Sequence, residues 1–114
     1  MHGYQIKILW SKLVEIHDMI KSQNWEQLKR VAQITDETIE EAKSEIEEYP
    51  GIMTECPYDG FTDAVTIESF DGWKADCMAY FWFDNDESDL SMECTVEFNG
   101  RELKRICINQ IHVF

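Results

Sequence analysis

The chain has 114 residues, of which 44% are hydrophobic and 12% aromatic. This composition is that of a folded globule, and the length predicts a single domain over residues 1–114 with one core. The formal net charge of -13 makes nucleic acids and anionic membrane surfaces unfavourable partners, because like charges repel at the distances that solvent screening allows.

The N-terminus has no recognisable targeting pattern. Residues 1–7 lack the charged, apolar and small-residue regions of a signal peptide and lead directly into a helical pattern. No apolar run approaches the ~20 residues that span a bilayer. We therefore expect a cytoplasmic protein whose four cysteines are reduced.

The first half of the chain has helical periodicity, with apolar residues at spacings of three and four. The three predicted helices cover Tyr4–Lys21, Trp25–Ala32 and about 36–49. Asn24 can cap the second helix, and Thr35 or Asp36 can cap the third. Pro50 and Gly51 then end the third helix, because proline cannot continue a helix and glycine favours its C-terminal boundary.

After residue 63 the apolar period changes from 3.6 to 2, which predicts strands. These cover Ala64–Ser69, Trp73–Phe83, Leu90–Phe98 and a last strand that runs to Phe114. The second strand is apolar on both faces and is therefore predicted to be central. Helices followed by strands predict an α+β fold with about three N-terminal helices packed on a four-stranded antiparallel meander sheet.

Asn99-Gly100 is the clearest turn signal and sets the pairing of the last two strands. We predict a three-residue turn with a glycine bulge, which pairs Met92 with Ile106. A plain two-residue turn would place Ile106 and Ile108 away from the apolar face. The bulged register also directs Cys94 into the core.

The negative charge is concentrated in the middle of the chain. Residues 33–100 hold two basic and nineteen acidic side chains, a net charge of -17, whereas each flanking segment has a net charge of +2. The acids lie on the third predicted helix, where those near its C-terminus oppose the helix dipole, and in a predicted loop at 84–89. Such runs are ordinarily solvated faces. We instead predict an exposed surface that binds a basic protein partner, formed by Glu40, Glu41, Glu45, Glu47, Glu48, Asp84, Asp86, Glu87 and Asp89.

Neither the cysteines nor the acidic loop has the spacing of a metal site. The four cysteines are 21, 17 and 13 residues apart, without the close pairs of structural zinc sites, and are expected to be buried thiols. In the loop, Asp89 stands where an EF-hand needs glycine and Thr95 where it needs glutamate. We therefore predict no metal and no cofactor, with a calcium-dependent adaptor as a third alternative.

The sequence contains no catalytic motif and therefore favours a binding protein over an enzyme. His17 and His112 are predicted to be boundary residues with hydrogen-bonded rings, and no serine or cysteine stands in a nucleophile motif. The main alternative is a nuclear-transport-factor-like α+β domain that binds a small ligand or acts as an enzyme. Its cavity would be lined by Trp73, Tyr80, Trp82 and His17.

The C-terminal half resembles a group of bacterial proteins. The resemblance rests on Trp73, Ser88-Asp89-Leu90 after an acidic turn, Asn99-Gly100 and the closing Ile111-His112-Val113-Phe114. These short motifs, within about residues 64–114, are similar to small immunity proteins of polymorphic or contact-dependent growth-inhibition toxin systems. The resemblance implies a cytoplasmic bacterial protein that neutralises a toxin domain by binding it. Together with the acidic surface, it leads us to expect an immunity protein that occludes a basic toxin domain, such as a nuclease. The resemblance identifies no functional residues.

Overall fold

The computed structural model describes residues 1–62 and 64–113. Three helices precede four strands: α1 (Gly3–Lys21), α2 (Trp25–Val31), α3 (Asp36–Glu48), β1 (Val65–Phe70), β2 (Lys74–Phe83), β3 (Asp86–Asn99) and β4 (Glu102–Val113). The sheet has the order β1-β2-β3-β4, and each neighbouring pair is antiparallel. The predicted α+β fold with N-terminal helices and a meander sheet is therefore confirmed.

The helices begin at the capping residues that the sequence predicts. Asn24 accepts a hydrogen bond from the backbone N–H of Gln27, and Thr35 accepts one from the N–H of Thr38. Each cap satisfies a donor that has no partner within its helix. The last helix stops before Pro50.

One hydrophobic core joins the helices to one face of the sheet. On the helix side, α1 buries Leu9, Leu13 and Ile16 completely. On the sheet side, the alternate residues Ala75, Cys77, Ala79, Phe81 and Phe83 of β2 are buried in the same cluster. A fully buried leucine or phenylalanine contributes roughly 1.5–3 kcal/mol relative to an exposed one. This shared core holds α1 and the sheet in a fixed orientation.

The turn between β2 and β3 is shorter than the sequence predicts. Phe83 pairs with Asp86, so only Asp84 and Asn85 lie in the turn. Both have positive φ, 51° and 63°, as a type I′ turn requires. The predicted loop at 84–89 is therefore wrong: residues 86–89 belong to β3. Aspartate and asparagine tolerate this backbone conformation, which allows so tight a turn.

The predicted pairing of Met92 with Ile106 is also wrong. Asn99 pairs with Glu102 across a two-residue turn in which Gly100 has a φ of 61°. Two irregularities then shift the pairing, and Met92 lies opposite Ile111. Ile106, Ile108 and Cys94 are nevertheless buried, as expected. Two bulges in the ladder, rather than one at the turn, keep the apolar residues on the core face.

The two edges of the sheet differ. The segment between α2 and α3 covers β4: the Gln33 N–H donates to Ile106 O, and the Ile108 N–H donates to Gln33 O, each at 2.8 Å. At the opposite edge, β1 has a register shift around Glu68. Within residues 1–62 and 64–113, nothing pairs with the outer side of β1.

Candidate functional site

The end of α3 meets the start of β3 at Tyr49. The Tyr49 hydroxyl donates a hydrogen bond to Asp89 Oδ1, and its ring packs on Phe83 with 4.5 Å between ring centroids. The hydrogen bond to the Asp89 carboxylate raises the pKa of Tyr49, so this phenol stays protonated and remains a donor at neutral pH. Glu47 and Glu48 are thereby placed beside the β2–β3 hairpin.

The chain after α3 is fastened to the β2–β3 turn. The Asp84 N–H donates to Ile52 O at 2.9 Å, and the Ile52 N–H donates to Asp84 Oδ1 at 3.1 Å. Gly51 has a φ of 121°, and a Cβ there would lie only 2.6 Å from Asp84 Oδ2. Glycine is therefore required at this close approach. The contacts hold the turn and the helix end together.

These contacts assemble seven carboxylates at one end of the molecule, which we call the acidic end: Glu45, Glu47, Glu48, Asp84, Asp86, Glu87 and Asp89. All are exposed except the half-buried Glu45. Between Lys43 and Lys74, and again between Lys74 and Arg101, the sequence contains no lysine or arginine. Lys21 and Lys43 line a groove together with Glu47 and Ile52, and Lys43 is already paired with Glu40. Carboxylates therefore outnumber cations at the acidic end, and its field is negative.

Two predicted site residues lie outside the acidic end. Glu40 is exposed but pairs with Lys43 at 3.2 Å. Glu41 is half-buried, and its Oε1 accepts a hydrogen bond from the Ile111 N–H at 2.7 Å. The prediction that Glu41 is exposed for recognition is wrong, because this carboxylate supplies an acceptor that the edge strand lacks. Glu45 is also less exposed than predicted.

Sequence reasoning missed the residues that build the site. Tyr49 follows the apolar period of α3, so the sequence suggested only a core contact. Ile52 is 74% exposed beside the acidic turn, and it lies in a segment without periodicity. Its position next to Pro50-Gly51 was the one available signal of a fixed turn.

His17 and His112 both contact other residues of the fold. His17 Nε2 accepts a hydrogen bond from the backbone N–H of Trp82 at 3.0 Å, and the His17 ring packs against Phe81. Burial lowers the pKa of His17 to about 4, so the ring is neutral at physiological pH. His112 lies on β4 with Nε2 3.8 Å from a Glu93 carboxylate oxygen.

All four cysteines are free thiols. Cys56, Cys77 and Cys94 are buried as predicted, whereas Cys107 is only half-buried. Cys77 and Cys94 lie directly opposite each other in the core. Hydrogen bonding to Cys77, together with burial, raises the pKa of Cys94. Burial raises the pKa of Cys56 to about 12. Both are therefore protonated and poorly nucleophilic.

The structure does not form the small-ligand cavity of the alternative prediction. Trp73 is 52% exposed just before β2, whereas Trp82 lies near the other end of that strand, about 30 Å away at the rise of an extended chain. Within the described part of the chain, no three His, Cys, Asp or Glu side chains are grouped so as to hold a metal ion. No helix in that part has the length and apolar character needed to cross a membrane.

Comparison with known proteins identifies the family but no activity. Residues 17–114 match the model of a family described as a domain of unknown function, DUF7668. No curated protein matches the chain, and no solved structure does. Because the family model covers most of the sequence, the chain belongs to the DUF7668 family.

Proposed function

We propose that this DUF7668 protein is a non-enzymatic binding protein of the bacterial cytoplasm. In this proposal it is an immunity protein that neutralises a basic toxin domain, such as a nuclease, by occluding it. The observation that carries the proposal is the acidic end, where six exposed carboxylates and the half-buried Glu45 converge from two separate elements.

The electrostatics of the acidic end suit such a partner. A nuclease cleft that binds phosphates presents cations, and clustered carboxylates attract these at long range. Charges at the rim of an interface mainly raise the association rate, whereas desolvated central pairs cost about 2–5 kcal/mol when one member is truncated. The acidic end would therefore speed association and exclude neutral or acidic partners.

The acidic end also offers an apolar contact. Ile52 is 74% exposed, and its backbone is fixed by two hydrogen bonds to Asp84. Interfaces commonly surround a water-excluding apolar centre with a polar rim. Ile52 lies beside the carboxylates of Asp84 and Glu47. It matches that arrangement, because its side chain is presented to the partner at little ordering cost.

The test measures binding of the toxin domain encoded beside this gene over a salt series. Two charge-reversal pairs are compared with wild type: Glu47→Lys with Glu48→Lys, and Asp86→Lys with Glu87→Lys. We expect each pair to lower the association rate at least about tenfold at low salt, with the difference shrinking as salt screens the charges.

Glu102→Lys is the control for a charge reversal elsewhere, because Glu102 is exposed at the start of β4, where it pairs with Asn99 at the far end of β3. It makes one charge reversal away from the acidic end and should leave the association rate close to that of wild type. Equal binding and equal protection by all variants at every salt concentration would show that the acidic end is only a solvated face.

A further inference from the structure

A second surface lies between α1 and the segment before β1. It is a groove of about 600 Å³ whose apolar lining comes from Trp10, Val14 and Tyr58. The Tyr58 side chain is 90% exposed and does not belong to the core. Such exposure is unusual for a large aromatic side chain.

The groove is preformed. The Gly60 N–H donates to Pro57 O at 2.9 Å, and the Thr62 hydroxyl donates to Asp59 O at 3.0 Å. Phe61, between them, is fully buried. The segment that carries Tyr58 is therefore anchored to the core, and a ligand would not have to order it on binding.

Carboxylates surround the apolar lining. Glu15, Asp18 and Asp59 line the groove together with a single cation among the described residues, Lys7. Glu15 is paired with Lys12 at 3.0 Å. Within residues 1–62 and 64–113, neither Asp18 nor Asp59 has an ion-pair partner. The groove therefore retains net negative charge available to a ligand.

The surroundings of Asp18 also favour a cationic ligand. Partial burial, together with the negative charge of Glu55, raises the pKa of Asp18, and Lys21 acts in the opposite direction. A carboxylate that is partly desolvated and close to another carboxylate gains from an added cation. The environment of Asp18 therefore agrees with the groove lining in favouring a cation.

We infer that this groove binds an arginine side chain in a basic, extended segment of a partner protein. Arginine combines an apolar stem with a planar cation, which suits an aromatic lining flanked by carboxylates. The inference rests on the proposed function in taking the partner to be a basic protein. It uses different residues from the acidic end.

The groove and the acidic end are linked along one segment. The loop after α3 contacts the β2–β3 turn through Thr54, whose hydroxyl accepts a hydrogen bond from the Asn85 N–H at 2.9 Å. Glu55 follows directly and acts on Asp18 of the groove. A single partner could therefore contact both surfaces across residues 52–59.

The experiment titrates the isotopically labelled full chain with acetyl-Arg-Arg-Arg-amide and follows backbone and indole N–H resonances. We expect saturable shifts concentrated at the Trp10 indole and at residues 58–62. The matching citrulline peptide, which is nearly isosteric but uncharged, should cause no comparable shift. Tyr58→Ala and Asp18→Asn should each weaken binding at least about threefold, the effect of losing one cation–π or charge contact at a partly exposed site.

Tyr58→Ala should leave the chain folded, because this ring is exposed and makes no core contact. The dispersion of the spectrum verifies the fold of each variant. A Glu47→Gln, Glu48→Gln variant should retain the groove shifts. Equal binding of the citrulline peptide, or shifts that are unchanged in both groove variants, would overturn the inference. If acidic-end variants lose toxin binding while Tyr58→Ala and Asp18→Asn bind the toxin as tightly as wild type, the groove inference is overturned and the proposed function stands.

Discussion

The acidic side chains of α3 and of the β2–β3 hairpin fall into two groups that differ in what they bond. Glu41 and Asp84 accept hydrogen bonds from the backbone N–H groups of Ile111 and Ile52. Glu47 and Glu48 bond nothing within the described residues. Identical residue types in one charge run therefore stabilise the fold at some positions and leave a bare charged surface at others.

Neither group of carboxylates should dominate the pH dependence of stability. We expect the largest single effect from His17. The folded pKa of His17, about 4, lies below its ordinary value of 6.5. Between about pH 6.5 and about pH 4, His17 is protonated in the unfolded chain but neutral in the folded chain. The free energy of unfolding should therefore fall as the pH drops through this range. The loss from this residue should approach about 3 kcal/mol.

Urea denaturation of wild type and His17→Gln at several pH values measures this effect. The carboxylates are common to both proteins, so the difference in slope belongs to His17. The variant should be less sensitive to pH over this window, whatever its absolute stability. Parallel slopes would mean that the carboxylates alone govern acid unfolding.

Among the bonded carboxylates, Glu41 should have the larger effect on stability. Glu41→Ala leaves the Ile111 N–H without its acceptor in a partly buried position, and should lower the free energy of unfolding by about 1–3 kcal/mol. Glu41→Gln keeps an acceptor oxygen and should cost clearly less. Urea denaturation at pH 7 gives both values, and an alanine variant as stable as wild type would remove the distinction between the two groups.

Asp84 should follow with a smaller effect, because its site is exposed. Asp84→Ala removes the acceptor of the Ile52 N–H and places alanine at a positive φ, so we expect a loss of about 1 kcal/mol. Asp84→Asn retains the acceptor and tolerates the same backbone conformation. Thermal unfolding of the two variants side by side tests this, with similar values for both counting against a specific role of the Asp84 side chain.

The unbonded group should give the smallest effect on folding. Glu47→Lys with Glu48→Lys places cations at the C-terminal end of α3, which has no basic residue in its last turn. Because cations favour that end of the dipole, the free energy of unfolding should stay within about 0.5 kcal/mol of wild type or rise slightly. A loss beyond about 1 kcal/mol in urea denaturation would place these residues with Glu41.

The sequence predicted the features that local chemistry determines. Asn24 and Thr35 cap their helices as their side chains suggest, and the apolar periods of α1 and β2 identify their core faces. The register of β4 was not predictable, since bulges depend on how both partner strands meet the core. The extent of the hairpin was missed because Asp86 to Asp89 are polar on a strand that extends into solvent.

The candidate site was predicted only as a concentration of charge. That Glu41 bonds β4 while Glu48 remains free depends on how α3 rotates against the sheet, which the spacing of acids alone cannot reveal. The contact of Tyr49 with Asp89 joins residues 40 positions apart. Such long-range pairs arise from tertiary packing, so no local sequence pattern predicts them.

The register shift in β1 bears on self-association. An incoming strand would find only two short stretches of uninterrupted backbone on this edge, residues 65–67 and 69–70, on either side of Glu68. Both are shorter than the roughly 5–6 residues of a typical strand. Bulged, charged edges resist the edge-to-edge strand pairing that leads to aggregation. With Gln33 covering the opposite edge, the sheet offers no long template for growth among the described residues, and the chain should remain dispersed when it is abundant.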